Sequence, residues 1–234
     1  MNIVRKKLSI EEFKEYLDKK DFGSLPPNFL VIHHTINPTE DSWDGEKSMD
    51  SLKKFYENKG WSAGPHIFVA KDGIWLFTDM YEVGIHAGAG NATWKNRNSG
   101  TTWQGWGDDF VKNELISYSI GIEVVGNYDG AVWSGDIKEN ALGTINSLCE
   151  RLEIPRNKIF FHRDFSTKSC PGWAITKEWL NEKLDEFDSP SSEMKEKYVI
   201  NYKKIFLAVG KFLKKDYGKN PSDEETKEIL ELLK

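Results

Sequence analysis

Apolar positions in this chain recur with two periods, and the switches between them mark out the elements. In "SIEEFKEYLDKK", Ile10, Phe13 and Leu17 fall on one helical face. Ser9 and Glu12 form a capping box ahead of them, so the spacing predicts a first helix. After Pro26-Pro27, "NFLVIHHT" is a short apolar run, a buried strand that ends in two histidines. "SMDSLKKFYENKG" returns to helical spacing, with Leu52, Phe55 and Tyr56 expected inward and Gly60 as the stop. "PHIFVAKDGIWLFTD" sets strand residues on both sides of Lys71-Asp72-Gly73, a hairpin turn. "SYSIGIEVVGNYDG" is a β-branched strand, "IKENALGTINSLCERL" a helix, "NKIFFH" a short strand and "WAITKEWLNEKLDEF" a helix.

Two stretches depart from this rhythm. Residues Gly84 to Asp109 are rich in Gly, Asn, Thr and Trp without clear periodicity, and read as a long loop. Loops of that length are usually functional or disordered, and three tryptophans favour order. "DSPSSE", from Asp188, is a linker by composition. Beyond it, "YKKIFLAVGKFLKK" places Ile205, Phe206, Val209, Phe212 and Leu213 between lysines, and Ser222 with Glu225 forms a second capping box. The expected organisation is a domain over 1–187, a linker over 188–192 and a helical module over 193–234. Strands interleaved with helices, plus one hairpin, point to the α/β class: a mixed central sheet with a small C-terminal helical extension.

Composition narrows the function classes. The chain has 234 residues, 38% of them hydrophobic, enough for one sizeable core. No apolar run approaches the ~18–20 residues of a membrane span. The N-terminal "MNIVRKKLSIEEFKEY" has no apolar segment after its basic residues, so a signal peptide is not expected and work outside the cytoplasm would need another exit. A net charge of -5 argues against nucleic acid as partner. Two cysteines are too few for a disulfide framework. Cys149 lies at helical spacing with Leu142, Ile145 and Leu152 and reads as a small core residue. Nine tryptophans exceed what a core needs and suit a groove that stacks on sugars or peptides.

Cys170 sits instead in a polar stretch, "FHRDFSTKSCPG", eight positions after His162. A metal site, a cysteine nucleophile with His162 as base, and an ordinary loop are all open readings. Pro171 and the lack of a helix start at the cysteine count against the nucleophile. For zinc, imidazole nitrogen and thiolate are suitable ligands, and a catalytic site keeps three protein ligands with one position open. The third would come from the strand-end pair His33-His34, of which one faces the site because neighbouring strand residues point to opposite faces. Glu123 shares a strand face with Gly121 and Val125, away from Ile120, Ile122 and Val124. A buried carboxylate there suits a general base, and a solvated edge carboxylate is the alternative. Lys168, two residues before Cys170, is placed either to meet a developing oxyanion or simply as a surface lysine.

Five motifs in order, "VIHHT", "GPHIFVAKDGIW", "IHAGAGN", "YSIGIEVVGN" and "HRDFSTKSCPG", resemble the zinc-dependent N-acetylmuramoyl-L-alanine amidases of the type-2 class. That class shares its fold with phage amidase lysozymes, muropeptide-recycling amidases and peptidoglycan recognition proteins. The resemblance spans roughly residues 25 to 185. It implies a mixed sheet with helices on both sides and a zinc cleft on one face. It implies His33, His162 and Cys170 as Zn2+ ligands, Glu123 as base and Lys168 as oxyanion partner. His86, and with it His34, Asn91 and Trp94, would stand at the substrate wall. Many relatives carry a tyrosine where this chain has Pro65, which supplies no phenol. The implied activity is hydrolysis of the amide between N-acetylmuramic acid and L-alanine in peptidoglycan, in the manner of a phage endolysin. A cytosolic recycling amidase and a non-catalytic peptidoglycan-binding protein are the alternatives.

Overall fold

The chain is described from a computed structural model covering residues 1–107 and 111–188. In chain order the elements begin β1 (Lys6–Leu8), α1 (Ile10–Lys19), β2 (Phe29–His34), α2 (Gly45–Asn58), β3 (Ile67–Ala70) and β4 (Gly73–Leu76). They continue β5 (Ala92–Asn96), β6 (Thr102–Gln104), β7 (Asn113–Val124), α3 (Gly135–Leu152), β8 (Ile159–Phe161) and α4 (Lys177–Asp188).

The main sheet runs β1-β4-β3-β7-β2-β8. β3, β7, β2 and β8 run parallel to one another, while β4 and β1 add antiparallel strands at one edge. Parallel strands covered on both faces read as continuous apolar runs, and β2 and β3 do so. β7 belongs to two sheets. Its second half pairs in parallel with β2 and β3, and its first half pairs antiparallel with β5, which carries β6.

Helices cover both faces. α1 and α3 pack together on one, where Asn140 Nδ2 donates to Ala70 O at 2.9 Å and ties α3 to β3. α2 covers the other through Met49, Leu52 and Tyr56, with Tyr56 edge-on to Phe77. The capping box of α1 forms as expected: the Ser9 hydroxyl accepts from Glu12 N at 3.2 Å and the Glu12 carboxylate accepts from Ser9 N at 2.8 Å. Such a cap stabilises by about 1 kcal/mol. Phe13 and Leu17 of the same helix are fully buried, each contributing roughly 1.5–3 kcal/mol by leaving water.

Several expectations change. Phe55 does not point inward; it is 51% exposed, because α2 divides its apolar face between the core and a surface cleft. Gly84–Asp109 is not a featureless loop. It holds the hairpin β5–β6, with Trp94 opposite Trp103 and stacked on it at 5.9 Å. β1, three residues long, gave no periodic signal and forms by pairing with β4. α4 starts at Lys177, after the Thr176 hydroxyl accepts from Trp179 N at 3.1 Å, and ends on Asp188, the first residue of the expected linker. The rest of that linker and the expected module over 193–234 lie outside the described residues.

Candidate active site

Three parallel strands deliver the site at their C-terminal ends. His33 is the penultimate residue of β2 and Glu123 the penultimate residue of β7, directly opposite each other in register. His162 is the first residue after β8. Cys170 returns from the following loop, and His34 N donates to its Sγ at 3.3 Å. One ligand-type atom from each of His33, His162 and Cys170 lies within 4.8 Å of the others. His33 Nδ1 is 3.0 Å from His162 Nδ1 and 3.6 Å from Cys170 Sγ. Of the histidine pair, His33 reaches the cluster. His34 is turned away, its Nδ1 accepting from Tyr128 N at 3.2 Å.

All five histidines of the chain gather here. His33 Nε2 is 3.0 Å from His86 Nδ1, and His86 Nε2 is 3.2 Å from Ser119 Oγ. His66 lies edge-on to His86, accepting from Gly121 N at 2.9 Å and donating to Glu82 O at 2.9 Å. Gly121 makes this layer sterically feasible, since a Cβ there would come within 2.6 Å of the His86 ring.

Burial dominates the electrostatics. It holds His33 and His86 far below the usual imidazole range, His33 further so through His86, His162 and Lys168. His162 is lowered to about 4, first by burial and then by Lys168. Burial raises the Cys170 thiol, with Glu123 adding to the effect. Glu123 is pushed up to about 8 by burial, against the pull of Lys168. Its Oε1 lies 3.8 Å from His33 Nδ1, but a neutral imidazole beside a protonated carboxyl is not an ion pair. Glu123 Oε2 is buried with no hydrogen-bond partner. Lys168 is exposed at the rim.

Arg163 holds the cysteine loop in place. Its guanidinium donates to the carbonyls of Ser169 at 3.2 Å, Gly172 at 2.8 Å and Ile175 at 2.5 Å, and its backbone N donates to Cys170 O at 2.9 Å. It also lies over the rings of Phe161 and Trp173. Gly172, at φ +107°, passes so close to Tyr128 that a Cβ would come within 2.3 Å of its backbone. Sequence reasoning passed over Arg163, because a long side chain capping carbonyls up to twelve residues away leaves no periodic trace.

The cluster opens into a cleft of about 1030 Å³. Leu52, Phe55, Tyr56 and Trp61 form one wall, and Ile36 and Pro38 stand in the β2–α2 loop. Among the described residues, the tryptophan hairpin does not line it. Trp94, expected at the substrate wall, is 0% exposed and packs in a satellite core with Val83, Ala92 and Tyr118. Asn91 is also buried; its Oδ1 accepts from His86 N at 3.0 Å and Ala87 N at 2.7 Å, shaping the turn that carries His86. His86 is buried against His33 and still contributes to the lining of the cleft. Pro65 supplies no phenol, but Tyr56 brings one to the same cleft from α2. Burial, then Glu123 and Cys170, raise its pKa. Its signal in the sequence was a place on the inner face of α2, one turn before the Gly60 stop.

Residues 23–173 match the family model for N-acetylmuramoyl-L-alanine amidase, well over half of the chain. The chain belongs to this amidase family. Among its relatives, the N-acetylmuramoyl-L-alanine amidase CwlH of Bacillus subtilis (strain 168) is 27% identical over 154 residues, covering 66% of this chain and 51% of the relative. The N-acetylmuramoyl-L-alanine amidase BlyA of the same organism is 28% identical over 142 residues, covering 60% of this chain and 35% of the relative. The amidase-family chain therefore spans about half of one curated relative and about a third of the other. Among solved structures, the N-acetylmuramoyl-L-alanine amidase LysC from Clostridium intestinale URNW aligns with a TM-score of 0.50 at 20% identity, covering 69% of this chain and 87% of that one. At that identity the likeness speaks to the fold alone.

Proposed function

We propose that this chain is a zinc-dependent amidase that hydrolyses the bond between N-acetylmuramic acid and L-alanine in peptidoglycan. The observation that carries the reading is the convergence of His33, His162 and Cys170 within 4.8 Å, with Glu123 opposite His33 in the sheet register. The residues fit the metal: two imidazoles and a thiol are a zinc donor set, and three of them leave one position open. Bound there, zinc would supply Lewis acidity toward the scissile carbonyl and lower the pKa of water toward ~7.

The chain's own groups do the rest. Opposite charge nearby lowers a buried carboxyl's pKa, so metal loading favours the carboxylate form of Glu123. Glu123 takes a proton from the attacking water and returns it to the leaving alanine nitrogen. Lys168, at the rim, faces the developing oxyanion. Leu52, Phe55 and Trp61 offer an apolar wall for sugar and peptide.

In this reading residues 1–187 are the catalytic unit, 188–192 the linker, and 193–234 a separate module whose binding to the cell wall is open to test. Action on the cell wall after release, as in phage endolysins, is the favoured setting; the relatives named N-acetylmuramoyl-L-alanine amidase support the activity itself. The test combines elemental analysis for one zinc per chain with release of new alanine amino groups from purified sacculi. Cleavage of soluble muropeptides but not sacculi would point to recycling instead. Peptidoglycan binding without amine release would point to a non-catalytic binder.

A further inference from the structure

The buried hydroxyl of Ser119 lies 2.6 Å from Gly90 O. Neither atom can tolerate the other at that distance unless the serine proton lies between them, so Ser119 donates to the carbonyl. Its one proton is then spent, and Asn91 O at 3.2 Å is another acceptor. What Ser119 offers His86 Nε2, 3.2 Å away, is a lone pair. The His86 ring is buried and its two nitrogens face only Ser119 Oγ and His33 Nε2, with no carboxylate among the described residues to pair an imidazolium, so it carries one hydrogen. Its Nε2 therefore carries the hydrogen and its Nδ1 is bare. His33 Nε2 is 3.0 Å from that bare nitrogen and must in turn carry hydrogen. The remaining His33 nitrogen, Nδ1, is left as a lone pair aimed at His162 Nδ1 and Cys170 Sγ.

We infer that Ser119 and His86 form a tautomer-setting relay, anchored on the Gly90 carbonyl, that presents His33 Nδ1 to a metal. Both are positioning residues. The relay's value for ligation rests on the proposed metal centre, but its hydrogen directions do not. Metal-ligating histidines are commonly oriented by a carboxylate or carbonyl on the second nitrogen, and loss of such a partner weakens metal binding by about 10–100-fold. Here a second imidazole takes that place, passing the orientation on from a backbone carbonyl that cannot rotate or titrate. Gly121 belongs to the device, since no side chain at 121 leaves room for the His86 ring.

The test is nitrogen-15 NMR of the imidazoles in the full chain stripped of metal, together with zinc affinity by chelator competition. His33 and His86 should both show the Nε2–H tautomer. Ser119→Ala should shift His86 toward Nδ1–H and weaken zinc binding by about 10–100-fold. Its melting temperature should stay near that of the parent. An Nδ1–H tautomer at either histidine in the parent overturns the inference. So does a Ser119→Ala chain that keeps its zinc affinity within twofold and its His86 signals unchanged. If the parent takes up no zinc, the metal reading fails, and the nitrogen shifts alone still decide the relay.

Discussion

Glu123 and His33 face each other across the parallel pair β7 and β2, with Oε1 3.8 Å from Nδ1. The carboxyl is in reach of the His33, His162 and Cys170 cluster without being part of it. Glu123→Gln keeps shape and neutralises the group, so zinc content and melting temperature should match the parent. Amine release from peptidoglycan should fall by about 10²–10⁴-fold, the usual range for a lost acid–base group. Turnover at the parental rate would remove Glu123 from the mechanism.

Metal removal should be reversible. Dialysis against a chelator is expected to abolish amide hydrolysis, and added zinc to restore it. The same cycle should move the melting temperature, because a ligand at 100 times its Kd stabilises the native state by about 2.7 kcal/mol. Cys170→Ser should lose both the zinc and the thermal shift. Full activity after exhaustive chelation would contradict the metal reading.

Arg163 should matter to the metal without touching it. Arg163→Lys keeps the charge but cannot cap three carbonyls at once. Hydrogen bonds to charged groups contribute about 1.5–3 kcal/mol each, and with the side chain half-buried a net loss near the lower figure is expected. Urea titration would measure it. Zinc affinity should fall too, because the loop holding Cys170 loosens.

Acid should destabilise the fold through His66. Its pKa is lowered to about 4 by burial, against an ordinary value of 6.5. The folded chain therefore binds fewer protons than the unfolded one between these values. The stabilisation is complete above 6.5 and is lost as pH falls toward 4. The full effect is about 3 kcal/mol, with a slope of about 1.4 kcal/mol per pH unit per proton. Unfolding free energies at several pH values, with His66 titrated by NMR, check it; a His66 pKa near its ordinary value would refute the assignment.

The strand ends were legible because β2 and β8 are short apolar runs that lead into a histidine; alternation sends His33 and His34 to opposite faces, the resemblance picks His33, and alternation along β7 puts Glu123 opposite the Ile122 face. Other features were set by tertiary contacts. Phe55 and Tyr56 are neighbours on one helix and both border the cleft, yet Phe55 is exposed and Tyr56 is buried; periodicity does not record that α2 meets two environments. β1 exists only through β4. The strands β5 and β6, five and three residues long, are too brief to show a period. The motif of His86 did not show that its ring packs against His33 while lining the cleft. That direction follows from Asn91 folding the chain back and from the missing side chain at Gly121.

β7 is shared by two sheets, and this gives the molecule a division of labour. From Leu115, which pairs with Trp94, to Glu123, the strand advances about 26 Å at ~3.3 Å per residue. The hairpin is thus an outrigger, bolted to the beam that carries the carboxylate but far from it. Its tip around Ser99 and Gly100, rather than its base at Ala92 beside Asn91, is the part open to lengthening, trimming or re-lettering. Surface contacts on that side are therefore free to diverge, or to be engineered, independently of the chemistry.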